Sequence, residues 1–78
     1  MWVATMETEH FGWTAVDRTE AGALAALIAG WDRHMLRHAG DFDRDGFTPM
    51  SGAQAVNEYG ASAEKFALGQ ARRDGTLI

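Results

Sequence analysis

A chain of 78 residues and 8.5 kDa has room for one small domain, which excludes a second core or a catalytic barrel. Eleven acidic against seven basic residues, net −4, argue against the clustered positive charge that non-specific DNA or RNA binding requires. The absence of Cys excludes disulfide staples, thiolate metal sites and cysteine nucleophiles.

Hydrophobic residues make up 46% of the chain, but fourteen of them are Ala and bury little area. Scaling for this mass gives roughly 4,700 Å² exposed when folded against about 12,300 Å² unfolded, so about 60% is buried. Eight aromatics, three of them Trp, are many for so small a core. No apolar run approaches the roughly 18 residues of a membrane span, and Met1-Trp2-Val3 runs into polar alternation without a basic or apolar leader. The expectation is a cytoplasmic protein with no membrane partner.

Trp2 to Thr8 alternates, with Trp2, Ala4 and Met6 on one side and Val3, Thr5 and Glu7 on the other. Phe11 to Asp17 repeats the pattern through Phe11, Trp13 and Ala15. Both runs are rich in aromatic, β-branched and Thr residues, and Glu9-His10 between them suits a tight reversal. The reading is a β-hairpin over 2–8 and 11–17. Thr19 is a good N-cap and Glu20 suits the first turn of a helix. Leu24, Ile28, Trp31 and Met35 then recur at helical spacing, with Ala21 and Leu27 beside them. This helix is predicted to reach Ala39 and stop at Gly40. Gly22 and Gly30 inside it each cost up to about 1 kcal/mol relative to Ala, which close packing on the sheet would offset.

Residues 41–46 read as an Asp-rich loop, and the lone Pro49 falls in the only long loop. Ser51 caps a short helix over Gly52 to Tyr59, ended by Gly60, with Ala53, Val56 and Tyr59 as its apolar stripe. The last 18 residues read two ways. Ser62 caps a helix with Ala63, Phe66, Ala67 and Ala71 on one face, or Glu64, Phe66 and Leu68 share a strand face. In the second reading Asp74-Gly75 is a turn and Thr76-Leu77-Ile78 a terminal strand. Gly69 disfavours a long helix, so the strand reading is preferred. The predicted class is α+β: a β-hairpin, a long amphipathic helix, a short helix and C-terminal strands.

Four sets of residues carry candidate chemistry. Asp41, Asp43, Asp45 and Gly46 match positions 1, 3, 5 and 6 of a calcium loop, but position 12 is Gly52, so the bidentate carboxylate is missing. An ion there would be structural, and otherwise the segment is a solvated Asp-Gly turn. His34 and His38 are four apart on one helix face, the spacing of a metal pair, with His10 or an acid as the only third ligand. The plainer reading places them as favourable charge near a helix C-terminus. Arg72 and Arg73 precede Asp74-Gly75. Paired arginines can grip a phosphate, or can be solvated heads bridging to Asp74. Trp2, Trp13 and Trp31, with the phenyl rings and Met residues, exceed what a small core hides, which points to a homo-oligomer surface; the plainer reading is an aromatic core under the long helix that accounts for two of the three Trp. Ser51 and Ser62 lie outside any nucleophile-elbow context and no glycine loop is spaced for a phosphate. The chain is therefore not expected to be an enzyme or to need a cofactor, calcium excepted.

The opening from Trp2 to Ala15, with Thr8-Glu9-His10-Phe11 between two strands, resembles small proteins of phages and prophages. The capped helix start Thr19-Glu20, Gly30-Trp31-Asp32, Tyr59-Gly60 and the stretch from Leu68-Gly69 to Arg73-Asp74-Gly75 are similar too. The Asp-rich 41–46 segment departs from that pattern. The resemblance implies an anti-defence role by analogy: capture of a nucleotide immune signal or inhibition of a host defence protein such as a CRISPR component. The leading expectation is a non-enzymatic binder of an anionic nucleotide-like signal at a homo-oligomer interface. Arg72 and Arg73 would take the phosphate, and Trp13 or Tyr59 would stack on the base. The alternatives are a protein inhibitor using Asp41, Asp43 and Asp45, and a calcium-stabilised module through the same residues.

Overall fold

The computed structural model describes residues 1–9, 11–46, 48–67 and 69, and the backbone of two short strands at 72–73 and 76–77. Strand β1 (Trp2–Glu7) pairs antiparallel with β2 (Gly12–Asp17) on one side and with β3 (Ala61–Lys65) on the other, giving the sheet order β2-β1-β3. The architecture is α+β, as the alternating N-terminal pattern and the helical periodicity imply. Each predicted hairpin strand is one residue too long. Thr8 and Phe11 close the reversal instead, with the Thr8 backbone N–H donating to Phe11 O at 3.0 Å. The Thr8 hydroxyl accepts from the Phe11 N–H at 3.2 Å and lies 2.8 Å from Phe11 O as a donor. A side-chain hydroxyl thus closes a turn that lacks the usual Asn-Gly pair.

Period-2 alternation gives the sheet one buried face, built in cross-strand rows. One row is Ala15–Ala4–Ala63 and the next is Trp13–Met6–Ala61. Helix α1 (Glu20–Arg37) lies across this face, with Ala23, Leu27 and Trp31 buried against it. The buried stripe is thus displaced from the predicted one: Ala21 is exposed, while Leu24, Ile28 and Met35 flank the stripe half-buried. Ala23 and Ala4 are both fully buried in one cluster, against which Ala15 and Ala63 pack. Thr19 caps α1 as expected, its hydroxyl accepting from the Gly22 N–H at 3.0 Å. A Cβ at Gly22 would meet the Asp17 carboxylate and the Thr19 hydroxyl, side-chain ends that would have to turn aside and, for Thr19, give up the cap. At Gly30 a Cβ meets only Arg33 Nη2 at 3.8 Å.

The helix end and the Asp-rich loop need correction. Helix α1 ends at Arg37, and after His38 the chain re-enters a helix, α2 (Ala39–Arg44), so Gly40 is a helical residue rather than a stop. The positive φ that a terminating glycine supplies is found at Gly46 (68°) instead. Asp41 in the first turn of α2 pairs with Arg44 one turn later at 3.1 Å, and this local pair supports a helix where turn propensity predicts a loop.

Helix α3 (Gly52–Tyr59) has the predicted bounds and a capping box. Ser51 Oγ accepts from the Gln54 N–H at 3.2 Å, and Gln54 Oε1 accepts from the Ser51 N–H at 2.9 Å. Its packed residues are Gly52, Ala55 and Val56, whereas Ala53 is exposed. A Cβ on Gly52 would stand 2.5 Å from the Ile28 carbonyl oxygen, so glycine sets the close approach of α3 to α1. Residues 61–65 form β3 rather than a helix capped by Ser62, and Phe66 adds backbone bonds to Met1. Strands β4 (Arg72–Arg73) and β5 (Thr76–Leu77) pair antiparallel. The predicted Asp74-Gly75 turn, Leu68, Ala71 and Ile78 lie outside the described residues. Among the described residues, no helix is long and apolar enough to cross a membrane.

Candidate ligand-binding cleft

Where the sheet row changes from alanine to Trp13–Met6–Ala61, the layers part around a cleft of about 420 Å³. Its walls come from four regions. The β1–β2 turn and β2 supply Thr8, Glu9, Phe11 and Trp13. The C-terminal half of α1 supplies Trp31, His34, Met35 and His38, which share a face by their spacing of three and four. Helix α2 adds Asp41 and Phe42. The following loop and the end of α3 add Pro49, Met50 and Tyr59.

The rings form a connected chain. Trp13 meets Trp31 at a centroid distance of 5.1 Å and stands edge-on to His34 at 5.4 Å. Phe11 meets His34 at 6.4 Å, and Trp31 meets Tyr59 at 6.4 Å. Such tilted and edge-on pairs are the arrangements that aromatic quadrupoles favour. The loop wall is held by hydrogen bonds to α1. Trp31 Nε1 donates to Met50 O at 2.9 Å, and the Gly52 N–H donates to Asp32 Oδ1 at 2.7 Å. The second bond also sets a carboxylate at the positive end of the α3 dipole. Phe11 and Tyr59 are exposed at the mouth. The Trp13 indole N–H is shielded from solvent and, among the described residues, has no hydrogen-bond partner.

Of the residues expected to bind a nucleotide, Trp13 and Tyr59 line this one cleft. Arg72 and Arg73 form β4, and their side chains lie outside the described residues. His34 and His38 have ring centroids 4.6 Å apart, and His38 Nδ1 is 3.5 Å from Asp41 Oδ2. The possible third imidazole, His10, lies outside the described residues. The calcium-loop geometry is not adopted by Asp41, Asp43 and Asp45. In α2, residues two apart point about 200° from each other, so the carboxylates of Asp41 and Asp43 diverge. Asp41 instead engages Arg44 and His38, while Asp45 lies 3.8 Å from Arg44 Nε. Among the described residues, no group of three or more His, Asp or Glu is placed to hold a metal ion.

Sequence reasoning did not connect Phe11, Trp31, Phe42 and Met50 to the site. A signal for two of them existed: Phe11 shares strand parity with Trp13, and Trp31 shares a helix face with His34 and His38. Nothing local in the sequence marked the contributions of Phe42 and Met50, which depend on how α2 and the loop fold back. No family model matches the chain, and no curated protein or solved structure matches it.

Proposed function

We propose that this is a non-enzymatic binding protein that takes a small molecule with a planar ring into the aromatic cleft. The observation that carries this reading is the connected set of rings around about 420 Å³, within the usual size of single-ligand sites. Ring faces and thioethers offer stacking and dispersion without demanding a particular hydrogen-bond pattern. The lining hydroxyls are those of Thr8 and Tyr59, and Thr8 is engaged in closing the hairpin turn. The cleft therefore supplies contact surface more readily than an activated nucleophile.

In a phage-type anti-defence setting, the ligand would be a nucleotide-like immune signal captured by a homo-oligomer in the host cytoplasm. The common location of Trp13 and Tyr59 supports the base-stacking half of that reading. The phosphate half rests on Arg72 and Arg73 as residue types alone. A second reading, inhibition of a host defence protein, is favoured by the exposure of Asp41, Asp43 and Asp45 along α2.

Native mass spectrometry of the protein with a pool of nucleosides, nucleotides and indole tests the reading. The expected spectrum retains one ring-bearing mass per site, and Tyr59→Leu lowers its occupancy about tenfold, corresponding to about 1.4 kcal/mol. A ligand-free spectrum, under conditions that preserve a control nucleotide complex, would reject capture of a nucleotide or a neutral ring and shift attention to a cationic ligand or a protein partner.

A further inference from the structure

We infer that the cleft selects an organic cation, a methylated or arylalkyl ammonium; this rests on the reading of the cleft as a site for a ring-bearing molecule and stands against an anionic nucleotide as its occupant. Phe11, Trp13, Trp31, Phe42 and Tyr59 contribute rings to the lining, and the face of an aromatic ring carries negative potential that attracts a cation. Two carboxylates join them from separate elements, Glu9 from the hairpin turn and Asp41 from α2. Among the described residues, neither Lys nor Arg is in the lining. Asp41 is already engaged by Arg44 at 3.1 Å and by His38 at 3.5 Å, whereas Glu9 has no ion pair among the described residues.

Donor accounting separates a cation from an anion. A phosphate or carboxylate entering an apolar cleft must recover its lost hydration through donors. Here the Trp31 N–H is committed to Met50 O and the Thr8 hydroxyl to Phe11 O, and the Trp13 N–H is out of solvent reach. The imidazoles of His34 and His38 and the Tyr59 hydroxyl remain. A quaternary ammonium needs no donor at all. Its methyl groups are satisfied by ring faces, and its charge chiefly by Glu9, since Asp41 is shared with Arg44 and His38. The net charge of −4 further favours encounter with cations at low ionic strength.

The test compares three probes of matched shape: benzyltrimethylammonium, its neutral carbon isostere neopentylbenzene, and benzylphosphonate. Each is titrated into the full chain at low salt with tryptophan fluorescence as readout. The expected order is the cation at least about tenfold tighter than the neutral isostere, with the anion weakest. Glu9→Gln and Tyr59→Leu are expected to weaken the cation severalfold while changing neutral binding less; both positions are exposed, so the fold is retained. Equal or tighter binding of the neutral probe, or preference for the anion, would overturn the cation inference and leave ring capture standing. Unchanged cation affinity in both variants would overturn it as well. Absence of saturable binding by all three probes would remove both the inference and the reading beneath it.

Discussion

The two ends of the helix–sheet interface are built from the same elements and behave differently. At one end the Ala15–Ala4–Ala63 row lies under Ala23 and Leu27, and Ala4 and Ala23 are fully buried. At the other, Trp13, Met6 and Trp31 bring bulk into the same interlayer space, and a cleft opens beside them. Small residues let layers close until no void remains, while rings of fixed shape meet at tilted angles and leave gaps between them. The lesson is that ring area in a small domain need not be core: the aromatic excess that composition reveals is spent largely on a wall.

Substitutions can break this contrast from either side. The largest effect is expected for Trp31→Ala, which removes a buried ring touching Trp13 and Tyr59 and the bond that holds Met50. A loss of about 3–5 kcal/mol is expected, much of the about 5–15 kcal/mol available to a typical domain, and urea denaturation reads it directly. A loss below about 1 kcal/mol would mean that the aromatic end contributes little to folding. Gly52→Ala tests the small-residue packing, where a Cβ is opposed by the Ile28 backbone rather than a movable side chain. The expected cost is about 1–3 kcal/mol, seen as a lower urea midpoint at unchanged slope. Gly30→Ala is the control. Its Cβ meets nothing closer than 3.8 Å, so the gain in helix propensity, about 0.5–1 kcal/mol, is expected to raise the thermal midpoint. Destabilisation there would show that α1 approaches another surface along that side.

Much of the fold was legible because the decisive signals are local. Alternation gave the hairpin and its inward residues Ala4, Met6, Trp13 and Ala15. Ser51 with Gln54 and Gly60 bracket α3. The failures involve competition between local signals and their surroundings. Gly40 carries the usual terminator but lacks the positive φ, and the Asp-rich segment closes into a helix through the Asp41–Arg44 pair. On α1 the predicted Leu27 and Trp31 are buried and Leu24 and Met35 pack against the core, but Ala23 is buried where Ala21 was expected, because its partners lie on strands distant in sequence. The site was half legible for the same reason. Trp13 and Tyr59 stand out as residue types, but their union with His34, Phe42 and Met50 exists only after α2 and the loop fold back over α1.

The proposed contrast is between a ligand site at the aromatic end and closed core at the alanine end. The three indoles test it, since Trp13 and Trp31 line the cleft whereas Trp2 flanks the alanine row outside it. Indole N–H resonances, assigned with single Trp→Phe variants, would be followed by ¹H–¹⁵N correlation during titration with benzyltrimethylammonium. Saturable shifts of the Trp13 and Trp31 signals are expected, with Trp2 unmoved. Shifts centred on Trp2, or three stationary signals at probe concentrations that saturate ordinary aromatic sites, would contradict the contrast.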